Sequence, residues 1–278
     1  MSSTDKTLGF FLGSHHPAWL RSAPVPLFIS DRRLRDYRKL PRAVVPWALD
    51  SGGFTELSHH GTWDNGPTPE QYIARVRRYY DEIGSLAWVA PQDWMCEPWI
   101  LGKTGLTIEQ HHRLTIDNYR RLVDLAVAAD LPEDLVKPTV QGWHPDDYLR
   151  CAEAYERSGV DLAAAPLVCV GSVCRRQATE DAGQILANLH AAGITRLHGF
   201  GFKVQGLQRF AALLTSADSL AWSYSARRRP PLPGCTAHIN CANCPRFAYG
   251  WHAAHIAPIQ RLRRPSCVQP TLFEGIAA

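Results

Sequence analysis

Short apolar runs alternate with longer amphipathic stretches along most of the chain. The short runs fall at residues 8–13, 25–29, 47–49, 86–90, 137–141, 162–170, 196–202 and 219–222. Each is brief, bounded by polar or turn-forming residues, and reads as a buried strand. Between them, residues 69–83, 108–129, 145–157, 180–192 and 205–214 repeat apolar positions with helical periodicity. Thr68 before Pro69, with Glu70 in the first turn, predicts a helix start, and Gly84 and Gly159 predict helix ends. Strands alternating with helices pair in parallel through helical crossovers. Eight strand segments predict an α/β fold of the (β/α)8, TIM-type barrel class. A doubly wound open sheet is the competing arrangement.

A barrel carries a second expectation, because its reactive side chains gather at the C-terminal ends of the strands. Polar residues do sit there. Asp50 follows the third run, Asp93 follows the fourth and Gln141 closes the fifth. Gly171 and Ser172 close the sixth, His198 and Gly199 lie within the seventh, and Asp218 flanks the eighth. Any one of them also serves as a helix cap or turn residue, and Asp50-Ser51-Gly52-Gly53 has turn composition in its own right. Six occupied strand ends together are harder to explain as caps.

With 278 residues and 45% hydrophobic content, the chain can bury a sizeable core as one large domain or two small ones. No apolar run approaches the roughly 20 residues of a membrane span. Met1–Lys6 is polar and lacks the apolar stretch of a secretion signal, so the expected location is cytoplasmic. Reduced cysteines then favour metal binding over disulfides. Cys235, His238, Cys241 and Cys244 lie three residues apart, a density of thiolate and imidazole that suits tetrahedral zinc. Four protein ligands close the coordination shell, which predicts a structural ion and argues against a zinc hydrolase. His252 and His255 compete with His238 for the histidine position, and Cys267 is a weaker candidate ligand. The net charge of +4 is uneven. Arg227, Arg228 and Arg229 precede the cluster, and Arg261, Arg263 and Arg264 follow it. Such a patch either binds phosphate backbones or is a solvated face. Pro230, Pro231 and Pro233 mark a linker, dividing the chain into a barrel at 1–228 and a zinc-binding subdomain with a C-terminal tail at 229–278.

Several segments, taken in order, carry a family resemblance. Leu49-Asp50-Ser51-Gly52-Gly53-Phe54 resembles the signature loop of tRNA-guanine transglycosylases. Pro91-Gln92-Asp93-Trp94-Met95-Cys96-Glu97-Pro98 resembles their strand-end Asp segment, and Val140-Gln141-Gly142 their Gln-Gly strand end. Val170-Gly171-Ser172-Val173 resembles the base-reading loop, and Leu197-His198-Gly199-Phe200-Gly201 the loop closing over the base. Asp218-Ser219-Leu220-Ala221-Trp222 resembles the nucleophile strand, and the zinc cluster follows in the family's order. The resemblance runs from about residue 8 to about 256. Three departures bring the chain nearest to the smaller branch that inserts 7-deazaguanines into DNA, the deazapurine DNA modification (DpdA-like) proteins. The chain is compact, Trp222-Ser223 stands in place of a Pro-Thr-Arg run, and the cysteine cluster lacks a distant histidine.

The resemblance implies exchange of guanine for a 7-deazaguanine base, such as 7-cyano-7-deazaguanine, through a covalent sugar–enzyme intermediate. Asp218 would be the nucleophile and Asp50 the general acid and base. Asp93 would accept hydrogen bonds from guanine, and Gln141 and the Gly171 N–H would address its O6 side. Phe54 and His198 would sandwich the purine. Ser172 and Gly199 would complete the base-binding loops, with Arg227, Arg228 and Arg229 on the nucleic acid. The implied partners are DNA, or alternatively tRNA or a smaller nucleoside, together with accessory proteins for opening DNA and a second copy of the chain. A reading from another class, a non-catalytic zinc-containing nucleic-acid-binding protein, leaves three strand-end aspartates without a purpose.

Overall fold

The computed structural model describes residues 7–261. Eight parallel strands form one sheet: β1 (Gly9–Ser14), β2 (Leu27–Ser30), β3 (Trp47–Asp50), β4 (Leu86–Val89), β5 (Thr139–Val140), β6 (Val168–Val170), β7 (Leu197–Gly199) and β8 (Ser216–Ser219). Their order is β4-β3-β2-β1-β8-β7-β6-β5. The two ends of that order also meet. Val89 bridges Val136 in parallel, its N–H donating to Leu135 O at 2.9 Å while its carbonyl accepts from Lys137 N–H at 3.0 Å. The sheet therefore curls into a (β/α)8 barrel, and the open doubly wound arrangement is excluded.

Alternation along each strand builds two cores. Leu12, Leu27, Trp47 and Val170 face the surrounding helices and join the main apolar cluster. Ala48, Trp88, Leu167 and Cys169, with Phe11, Phe28 and Phe200, fill the barrel interior. The helix start predicted at Thr68 is a full capping box. Thr68 Oγ1 accepts from Gln71 N–H at 3.3 Å, and Gln71 Oε1 accepts from Thr68 N–H at 3.1 Å. Gly84 and Gly159 both follow helices with positive φ, 71° and 85°.

Four predicted elements differ from the structure. The eighth strand lies at Ser216–Ser219 rather than 219–222, because its small, polar sequence Ser-Ala-Asp-Ser has little hydrophobic signal. The apolar residues after it open a helix, Ala221–Arg227, which ends shortly before Pro230. The sixth run is a strand only at Val168–Val170, and the helix predicted at 205–214 shortens to Val204–Phe210 followed by a 3-10 turn. Trp222 anchors the segment that follows β8. It is fully buried, lies 5.5 Å from the Trp19 ring, and donates its Nε1–H to Gly13 O at 2.8 Å. The chain beyond it packs back on the barrel. Ser223 Oγ donates to Ala242 O at 2.7 Å, and Gln260 Nε2 donates to Leu8 O at 2.9 Å. No helix among the described residues is long and apolar enough to cross a membrane.

Trp222 ties the segment after β8 to β1, so Trp222→Ala is expected to cost about 3–5 kcal/mol. Trp222→Phe, which keeps most of the ring but abandons Gly13 O, should cost on the order of 1–2 kcal/mol. Denaturant midpoints of the two variants check this ranking.

Candidate active site

The C-terminal strand ends enclose a cleft of about 360 Å³. Asp50, Asp93, Gln141, Gly171, Ser172, Asp218 and Phe54 all line it, so the structure brings most of the sequence-predicted residues together. His15, Phe28, Met95, Glu97, Phe200 and Gly201 also line it and were not singled out from sequence. Two glycines allow this crowding. A Cβ on Gly53 would lie 3.1 Å from Asp93 Oδ1, and one on Gly171 would lie 2.2 Å from Gln141 Nε2.

One wall is a buried polar chain. Gln141 Nε2 donates to Asp93 Oδ2, which leaves Gln141 Oε1 to accept from Ser172 Oγ at 2.7 Å. Ser172 Oγ also accepts from Cys96 N–H at 2.8 Å and lies 3.0 Å from Glu97 Oε2. One hydroxyl proton serves one acceptor at a time. With that proton on Gln141, Glu97 makes its bond to Ser172 as a protonated acid. Burial pushes Glu97 in that direction, with its own backbone N–H and Ser172 opposing. Ser172 holds this position with φ of 53°, a left-handed conformation uncommon for serine.

Asp93 is raised to about 7, first by burial and then by the charge of Asp50, against the hydrogen bonds of its backbone and Gln141. Asp50 is raised as well. Burial dominates, Ser30 and the Gly52 backbone partly offset it, and Asp218 and Asp31 add to it. The cleft thus holds carboxyl groups near enough to disfavour one another's ionisation.

Asp218 is differently supported. Its Oδ1 accepts from Gly201 N–H at 2.9 Å and lies 3.3 Å from His198 Nε2. His198 Nδ1 is 2.8 Å from Ser216 Oγ. With Asp218 ionised, the pattern is complete when Nε2 carries the imidazole proton and the Ser216 hydroxyl donates to Nδ1. Both donors fall on Oδ1, and no hydrogen bond among the described residues engages Oδ2.

Three site expectations meet a different geometry. His198 is fully buried in β7 and lies outside the cleft lining, its ring edge-on to Trp88 at 4.6 Å, so it supports Asp218 instead of stacking on a base. Phe200, two residues on, presents its ring to the cleft in its place. The Gly171 N–H is spent on Val140 O at 3.0 Å within the sheet, leaving it no donor for a base. Gly199 is buried under the Phe202 ring, and the backbone donor in that loop is Gly201. A two-residue step along an alternating strand end decides all of this, and apolar patterning does not resolve it.

Arg227, Arg228 and Arg229 are exposed at the end of the Ala221–Arg227 helix. Arg227 and Arg33 lie close enough to His15 for their charges to assist burial in lowering its pKa to about 4. The basic rim therefore reaches the cleft wall on the β8–β1 side. Cys235, His238, Cys241 and Cys244 converge with all ligand atoms within 4.8 Å of one another. Cys235 Sγ and Cys244 Sγ are 4.0 Å apart. Zinc–sulfur bonds of about 2.3 Å place tetrahedral sulfurs about 3.8 Å apart, so the donor set fits such an ion. Leu232 N–H lies 3.3 Å from Cys241 Sγ. Burial opposes a thiolate at Cys244, yet the N–H groups of Phe247 and Arg246 pull it below the ordinary thiol value. His238 fills the histidine position, while His252 packs on Phe10 and His255 on Trp251. Cys267, Arg263 and Arg264 lie outside the described residues.

The model of the DpdA family, DeoxyPurine in DNA protein A, matches residues 7–275. The chain belongs to this family. DpdA proteins are a transglycosylase-like enzyme family of DNA modification, which fits a barrel with carboxylates at its strand ends. Among curated proteins none matches the chain.

The raised Asp93 has a consequence for stability. A carboxyl group lifted from 3.8 to about 7 penalises the fold increasingly as pH rises between those values. Asp93→Asn keeps an acceptor for Gln141 without the charge. It is expected to melt above wild type at pH 8, with the advantage shrinking from about pH 7 to about pH 4. Thermal melts across that range check the sign.

Proposed function

We propose that this DpdA-family chain is a guanine transglycosylase that exchanges guanine in DNA for a 7-deazaguanine base such as 7-cyano-7-deazaguanine. The observation that carries the reading is the convergence of Asp50, Asp93 and Asp218 on one cleft, with Asp218 held through a single carboxylate oxygen.

The free Oδ2 of Asp218 attacks C1′ of the target nucleotide as the bond to guanine N9 breaks. The electron pair leaves with the base, and Asp50, favoured as an acid by its burial, supplies the proton. The sugar is then held as an ester of Asp218. The incoming base surrenders its N9 proton to Asp50, attacks C1′, and releases the Asp218 carboxylate. Two displacements return the original sugar configuration. Asp93 in its ionised form accepts from the N1–H and amino group of guanine, and the Gln141–Ser172–Glu97 chain holds it in place. Phe54 and Phe200 offer ring surface to the purine. Arg227, Arg228 and Arg229 would meet phosphates.

The ion we assign to the Cys3His site is structural zinc, because four protein ligands leave no position for a reacting water. Cys241→Ala should lower zinc content and melting temperature together, measured by metal analysis and calorimetry. Loss of activity with both unchanged would contradict a structural role.

Purified protein should incorporate labelled guanine, or 7-cyano-7-deazaguanine, into DNA, with tRNA run alongside as the competing acceptor. Incorporation into tRNA alone would reverse the choice of polynucleotide. Asp218→Asn should abolish exchange, by at least about 10³-fold, together with the protein–DNA adduct seen on a denaturing gel. An adduct that persists in that variant removes Asp218 from the nucleophile's role.

A further inference from the structure

Tyr37, Phe54, Trp99 and Tyr224 are the well-exposed aromatic side chains among the described residues. Three of the four carry a guanidinium over the ring. Arg175 Cζ lies 5.7 Å from the Phe54 centroid and 4.9 Å from that of Trp99. Arg228 Cζ lies 3.5 Å from the centroid of Tyr224. Among the described residues neither Arg175 nor Arg228 is within ion-pairing distance of a carboxylate, whereas Arg32, Arg75 and Arg150 each engage a buried one.

The placement of these pairs follows from the barrel. Trp99 sits in the helix Pro98–Thr104 after β4, beside Phe54 at 6.0 Å between centroids, with Arg175 in the loop after β6. Tyr224 lies in the Ala221–Arg227 helix after β8, and Arg228 ends it. In a ring of eight strands β4 and β8 are opposite one another. Both pairs stand on the face where the cleft opens, since Phe54 lines it on one side and Leu220, just before the Tyr224 helix, on the other. Packing does not account for side chains 38% and 60% exposed at Trp99 and Tyr224. Flat apolar rings joined to unpaired cations match the two components of a nucleic-acid strand, bases that stack and phosphates that carry charge.

We propose that Trp99–Arg175 and Tyr224–Arg228 form a two-sided clamp that stacks the DNA bases flanking the one seated in the cleft. This rests on the reading of DNA as the substrate. A base leaves its stack at a cost of a few kcal/mol. Holding both neighbours on protein rings replaces the stacking that the departing base gave up. Stacking tolerates any base, so the clamp adds affinity without reading sequence.

The test is equilibrium binding of a fluorescent single-stranded deoxyoligonucleotide with one guanine, followed by anisotropy at fixed salt. Trp99→Ala and Tyr224→Ala are each expected to weaken binding about tenfold, and Trp99→Phe to restore most of it. Removing the base next to guanine should weaken wild type by a similar factor and leave Trp99→Ala unchanged. Equal losses on intact and abasic strands, unchanged affinity in both alanine variants, or no affinity in wild type would each overturn the clamp. The same proteins are assayed for base exchange. Wild type that binds this way but never exchanges guanine defeats the enzymatic reading alone. Trp99→Ala that binds normally and exchanges defeats the clamp alone.

Discussion

Four carboxyl groups share one small cleft, and their mutual cost governs the arrangement around them. Asp50, Asp93, Glu97 and Asp218 all line the same space at the barrel mouth. They lie near enough for one ionisation to make the next harder, as Asp50 does for Asp93 and Asp218 does for Asp50. The protein answers by dividing the states. Asp50 and Glu97 are driven toward their acid forms by burial, and Asp93 is balanced near neutrality. Asp218 alone receives both a backbone N–H and an imidazole on one oxygen. The crowding therefore separates the groups into two pushed toward the acid form, one that titrates near 7 and one held through a single oxygen.

That sorting depends on parts of the fold remote from the chemistry. His198 keeps its ring in place because Trp88, Phe28, Phe11 and Phe200 pack around it inside the barrel. The aromatic floor excludes water beneath Asp218, which strengthens the Nε2 contact and fixes its direction. From β8 the chain passes through Trp222, locked to Gly13, into the helix that leads to the cysteine cluster. The cluster closes a loop that Ser223 ties to Ala242. The Cys3His cluster and Asp218 thus lie on one short path of chain, and a metal held by the cluster would clamp that path.

The sequence made the barrel visible because buried parallel strands are nearly continuous apolar runs, and segments such as 8–13, 47–49 and 86–90 behave that way. β8 does not: Ser-Ala-Asp-Ser is small and polar, and His198 engages both Ser216 and Asp218 there. The aspartates and Gln141 were legible because strand ends in a barrel lead to one place. The role of His198 was not. His198 and Phe200 share a face two residues apart and differ in depth: His198, opposite Ser216 in register, lies beneath the cleft, and Phe200 reaches its wall. Apolar patterning does not report that depth, nor a backbone donor such as the Gly201 N–H. Glu97 lay within a recognised segment, yet its burial beside Ser172 follows from a contact 75 positions apart in sequence.

The balance at Asp93 also bears on which base the cleft accepts. The pKa of this group is raised to about 7 because burial and Asp50 oppose its charge. Guanine offers two N–H donors on one edge, and such donors favour the ionised acceptor. On the proposed reading, its arrival would draw a proton off Asp93, whose pKa is raised to about 7 in this site. Adenine presents a bare ring nitrogen at the corresponding position, which would face a carboxylate oxygen lone pair to lone pair unless Asp93 stayed protonated. A 7-deazaguanine keeps the guanine edge while differing at position 7, away from Asp93. The carboxylate can then treat departing and incoming bases alike, which a reversible exchange at a single site requires.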